Sequence, residues 1–90
     1  MTTIESLENS LDILRRQSSK LEKYLEMRQP KSRKEGAAIS RLFYPKLEGQ
    51  CRNLIEATAS HTLDFGFSER SDYVKDKVFG ILGIVIGEDI

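Results

Sequence analysis

Cys51 and His61 are the only cysteine and histidine in the chain, and a thiol beside an imidazole is the simplest nucleophile–base pair a short protein can carry. On a common helix they would stand roughly 15 Å apart along the axis, at about 1.5 Å per residue. One chain cannot bring them together, so Cys51 reads as a small buried apolar residue. His61 and Asp64 are three residues apart and share a helical face. Two ligands are too few for a metal, and the second carboxylate–histidine motif of a di-metal bundle is absent. His61 fits better as a surface histidine near a helix C-terminus, where the helix dipole favours its charged form. Glu22 and Glu26 are neighbours on a solvated helix face. Gly80, Gly83 and Gly87 lie among apolar residues with no following Lys, Ser or Thr, so they form no phosphate loop. The residues therefore imply no catalysis, no cofactor, no metal and no small-molecule substrate.

Charge gives a stronger lead. The chain has 14 basic and 14 acidic residues and a net charge of zero, but the signs are separated. Residues 28–46 hold six bases, Arg28, Lys31, Arg33, Lys34, Arg41 and Lys46, against Glu35 alone. Residues 47–90 hold eight acids against four bases. A basic segment with Phe43 and Tyr44 inside it can grip phosphates. It can equally dock an acidic partner surface, including the acidic half of a second copy.

The elements that carry these residues read as helices. Ile4, Leu7, Leu11, Leu14, Ser18, Leu21 and Leu25 recur at alternating spacings of 3 and 4, a heptad seam with one polar interruption. Thr2 and Glu5 form a capping box ahead of it, and Gln29-Pro30 ends it, giving a first helix over 3–28. Ser32 and Glu35 form a second capping box, so the link between helices is short and favours an antiparallel hairpin. Ile39, Leu42, Phe43, Leu47, Cys51, Leu54, Ile55, Ala59 and Leu63 continue a helical stripe to Gly66, giving a second helix over 33–65. Pro45 lies inside it and predicts a kink or a break, with pieces near 33–43 and 46–65. Ser68 or Ser71 caps a third helix over 69–86. Its run Val78 to Gly87 is the most apolar in the chain, and Gly80, Gly83 and Gly87 share one face that would admit a close backbone. The β-branched Ile84-Val85-Ile86 leaves a strand as the alternative there.

Gly66-Phe67-Ser68-Glu69-Arg70-Ser71-Asp72-Tyr73-Val74-Lys75-Asp76 resembles the turn and second helix of ribbon-helix-helix DNA-binding proteins. The resemblance covers residues 66–76. It implies a strand over Ala37–Phe43 paired with its twin across a dimer, with Ser40 and Arg41 contacting bases or phosphates.

At 10.3 kDa the chain is one domain, read over 1–90. A chain of this size buries about 60–65% of its unfolded surface, so help from a partner chain is expected. One cysteine excludes an internal disulfide and suits a reducing compartment. The first residues have neither a basic start nor an apolar run, and no stretch is long enough to span a bilayer. A cytoplasmic protein that does not enter membranes is expected. The fold class is all-α: a long, coiled-coil-like antiparallel hairpin with a short apolar third helix, assembled as an oligomeric bundle. The function expected is protein association by a small adaptor, assembly factor or regulator that forms a homodimer or higher and binds another protein. Its interface would be Ile4, Leu7, Leu11, Leu14, Leu21 and Leu25 together with Phe79, Gly80, Ile81, Leu82, Gly83, Ile84, Val85 and Ile86. The alternative is a dimeric nucleic-acid-binding regulator using the basic segment 28–46.

Overall fold

A hydroxyl opens the first helix, but one residue later than the sequence suggests. Thr3 is extended (φ −88°, ψ 160°), and its Oγ1 accepts the Ser6 N–H at 3.1 Å. The helix so started, α1, spans Ile4–Arg28. Gln29 ends it in the left-handed region (φ 49°), donating its N–H to the Leu25 carbonyl, and Pro30 prevents its continuation. Ser32 caps α2, Arg33–Phe43, by accepting the Glu35 N–H.

Pro45 then breaks the helix expected over 33–65 into two. Proline has no N–H to offer the Arg41 carbonyl and excludes Tyr44 from the helical region. Tyr44 takes φ −131°, ψ 80°, and α3 restarts at Leu47–Phe65 with no side-chain cap. Gly66 ends α3 at φ 83°. Ser68 and Ser71 form a reciprocal capping box for α4, Glu69–Ile86. The structure, a computed structural model, describes residues 2–88, and among these there are four helices and no strand. Met1, Asp89 and Ile90, at the ends of the domain read over 1–90, lie outside the described residues. Residues 37–43, the strand that the ribbon-helix-helix resemblance implies, lie in α2, and residues 84–86 lie in α4.

The break decides the packing. With 25 residues in α1 and 11 in α2, a long hairpin between the two cannot cover the α1 seam. α3 and α4 cover it. α4 follows α3 through the short Gly66–Ser68 turn, packs most closely on it, and touches all the other helices. α1 runs in the same direction as α4, since Glu8 meets Arg70 and Arg15 meets Tyr73 further along. The core joins Leu7, Leu11, Leu14 and Leu21 to Leu47, Cys51 and Leu54 and to Val74, Val78, Ile81, Leu82 and Val85. α2 closes one end. It lays the small residues Gly36, Ala37 and Ser40 inward, and its first turn comes so near α4 that a Cβ on Gly87 would stand 2.7 Å from the Arg33 carbonyl oxygen.

The inner face of α3 departs from its apolar stripe. Leu47, Cys51, Leu54, Thr58 and His61 are buried, while Ala59 and Leu63 face solvent. The cause is geometric. Each step of four advances about 40° around a helix, so Cys51, Ile55, Ala59 and Leu63 wind away from the core. Alternating steps of 4 and 3 hold one line and deliver polar residues to the inside. Thr58 satisfies its hydroxyl on the Leu54 carbonyl at 2.7 Å, and Ser40 on that of Gly36 at 2.7 Å. His61 Nδ1 is buried with no hydrogen-bond partner among the described residues.

Candidate functional site

Cys51 lies in the core with no exposed surface, and burial pushes its thiol up to about 11. A thiol held protonated and covered is a poor nucleophile. His61 is also buried, against the Phe65 ring with centroids 4.7 Å apart, and not the surface histidine expected. Its position on the inner line of α3 outweighs its place in the last turns of the helix. Among the described residues no group of three or more His, Cys, Asp or Glu side chains could hold a metal ion.

The seam assigned to an interface between chains is the inside of one chain. Leu7, Leu11, Leu14 and Leu21 are buried by α3 and α4, and Ile4 and Leu25 at its ends are half-buried. The apolar run of α4 divides in two. Val78, Ile81, Leu82 and Val85 enter the core, and Ile86 is half-buried against it. Phe79, Gly80, Gly83 and Ile84 instead line an open groove of about 910 Å³ between α4, the end of α1 and the start of α2. Leu25, Pro30 and Gly36 form its other wall, and Arg33, Asp76 and Glu88 contribute its charges. Of the three glycines expected to admit a close backbone, Gly87 lies against the chain's own α2 and Gly83 against the Glu88 carbonyl, while Gly80 faces open space.

All six bases of the segment 28–46 are exposed. They are spread along the outside of the molecule: Arg33 and Lys34 begin α2 and Arg41 lies near its end, about 12 Å further on at 1.5 Å per residue. An aromatic platform stands at the end of α2. Phe43 stacks on Tyr24 with centroids 4.3 Å apart and an interplanar angle of 14°. Tyr44 meets Phe43 edge-on at 4.7 Å, and the Arg28 guanidinium stands 5.9 Å from the Tyr24 ring centre.

A further surface escaped sequence reading. At the α3–α4 turn Leu63 is 87% exposed, Phe65 55% and Phe67 85%. Three large apolar side chains within five residues thus face water at one end of the bundle. The available signal was two phenylalanines flanking a helix-ending glycine, a place where the chain turns outward. Asp64, Glu69 and Asp72 surround this tip and are exposed. Arg70 is engaged: its Nε donates to Glu8 Oε2 at 3.1 Å, a second nitrogen bonds Oε1, and Glu5 is 3.7 Å away. This hydrogen bonding holds the Glu8 carboxyl below the usual carboxylate range and raises Arg70.

No described helix is long and apolar enough to cross a membrane. Comparison of the chain with protein-family models, with curated proteins and with solved structures returns no match.

Proposed function

We propose that this chain is a non-catalytic association module, a small adaptor or assembly factor that works by binding protein surfaces, its own included. The observation that carries this reading is the tip formed by Leu63, Phe65 and Phe67. Scattered apolar side chains are ordinary on a protein surface. Clustered ones rimmed by charge mark contact sites. The burial of Cys51 and His61 supports the non-catalytic part of this reading, since neither presents an exposed nucleophile or base. The reading is tested by native mass from light scattering over a concentration series. Growth of the mass with concentration supports self-association. A constant monomer mass to submillimolar concentration refutes it.

A second reading rests on the aromatic platform beside the bases. Tyr24, Phe43 and Tyr44 with Arg28, Lys31, Arg33, Lys34, Arg41 and Lys46 combine π-faces and cations, as single-stranded nucleic-acid surfaces do. Binding of a labelled single strand or duplex at about 50 mM salt, falling steeply as salt rises, would favour this reading. Unchanged affinity in a Phe43→Ala, Arg41→Ala variant would remove it.

A further inference from the structure

The tip and the groove lie at opposite ends of a body 43 Å long. Phe67 lies two residues before the start of α4, and the groove runs along α4 from Asp76 onward, so its floor at Gly80 and Gly83 stands about 20–24 Å from Phe67 at 1.5 Å per residue. No chain can place its own tip in its own groove. We propose that the tip of one copy, Leu63, Phe65 and Phe67, docks head to tail into the groove over Gly80 and Gly83 of a second copy. This inference rests on the association reading above and names the partner and the contact.

Charge selects this pairing over tip against tip. The groove itself is lined by one base, Arg33, and two acids, Asp76 and Glu88, but the end of the body around it, residues 19–55 and 76–88, carries ten bases and six acids. The tip end, residues 2–18 and 56–75, carries seven acids and four bases. Two tips brought together set like charge against like charge. A tip brought to a groove sets opposite charge against opposite charge, which steers encounter and suppresses the wrong orientation. The groove also has the right walls. Leu25, Phe79 and Ile84 line it, and a Cβ added at Gly80 would meet nothing within 4 Å. Its volume of about 910 Å³ lies toward the upper end of the range of sites that enclose whole small ligands, ample for two phenylalanine rings. Such a contact uses a different patch on each copy. Two copies that dock reciprocally, each tip in the other's groove, close as a two-fold dimer, and copies that dock one way assemble into a ring or an open fibre.

Two single substitutions test this on the full chain. Phe67→Asp removes the knob at an exposed position. Gly80→Glu fills the groove where the structure leaves room and repels an acidic tip. Circular dichroism confirms that each variant keeps its helices. The wild type should associate, as a closed dimer or as a ladder of masses, and the association should weaken as salt rises. Each variant alone should lose association by about tenfold or more, the scale of a hot-spot truncation. Mixed together, the two should form one 1:1 pair and nothing larger, because the intact tip of Gly80→Glu enters the intact groove of Phe67→Asp and both remaining ends are dead. A dimer formed by Gly80→Glu alone would mean tip against tip and would overturn the proposal. Association of both variants at wild-type strength would also overturn it, while leaving the association reading standing. A wild type that stays monomeric throughout would overturn both.

Discussion

Glycine-to-alanine substitution at three positions gives three different outcomes, because the surroundings of each glycine differ. At Gly80 the backbone is helical and a Cβ would meet nothing within 4 Å. Alanine there restores helix propensity worth about 1 kcal/mol and reduces the freedom of the unfolded chain. Gly80→Ala should stabilise by about 0.5–1 kcal/mol. At Gly66 a Cβ also has open space, but the backbone lies at φ 83°, ψ 178°, a region almost reserved for glycine. Gly66→Ala carries only that backbone strain and should lose about 1–3 kcal/mol.

Gly87 combines both penalties. Its φ is 70°, and a Cβ would stand 2.7 Å from the Arg33 carbonyl oxygen and 3.1 Å from Ala37 Cβ. The left-handed backbone costs an alanine about 1–2 kcal/mol, and forcing α2 off α4 adds an overpacking term of about 1–3 kcal/mol. A partial offset comes from the stiffer unfolded chain, leaving a net loss of about 2–4 kcal/mol for Gly87→Ala. Urea unfolding followed by helical ellipticity measures all three. A Gly87→Ala variant as stable as Gly80→Ala would refute the close approach of α2 to α4, and with it the wall of the groove.

Four further outcomes follow from the same packing. Leu21→Ala, at a side chain with no exposed surface, should lose about 2–5 kcal/mol, whereas Leu42→Ala, at an 85% exposed position, should change stability by less than about 0.5 kcal/mol; equal losses would sink the assigned helix faces. Cys51, buried and with its thiol near 11, should react with a disulfide reagent at neutral pH only as fast as the protein unfolds, and rapid native-state labelling would contradict its burial. The Glu8 carboxyl is lowered by Arg70, so its contribution to stability is complete above the ordinary carboxylate value and fades as pH falls through its lower folded value; an Arg70→Ala variant should lose that acid dependence, read from melting curves across the acid range. His61→Leu removes a buried nitrogen with no partner and should raise stability by about 1 kcal/mol, and a clear loss would show that His61 makes a bond that stabilises the fold.

The helices were legible because their boundaries carry chemistry that acts locally. Pro30, the Ser32 cap, Pro45, Gly66 and Ser68 each end or start a helix through the residues beside them, and the elements fall between them. Partner choice was less legible, because a seam states only that something covers it. Leu7 to Leu21 could be covered by a second chain or by α3 and α4, and the heptad is the same in both cases. The deciding fact is the shortness of α2 after the break, which disqualifies it as the second arm of a hairpin. The C-terminal run divides for a related reason. Val78, Ile81, Leu82 and Val85 are apolar because they serve the centre of this bundle, and the flanking Phe79, Gly80, Gly83, Ile84 and Gly87 line the groove.

Folding therefore accounts for one set of apolar residues and leaves another without a structural reason. α3 offers two lines of side chains that separate after Cys51, and a single core can take only one. It takes Thr58 and His61 and leaves Ala59 and Leu63 outside. Packing inside one chain explains why a threonine hydroxyl folds back on its own helix. It does not explain a leucine that is 87% exposed, followed within four residues by two largely exposed phenylalanines. Isolated, each would be unremarkable. Together, at the end opposite an open apolar groove and with the opposite excess of charge, they are the part of the sequence that packing within one chain does not use, and the part through which the proposed second copy would dock.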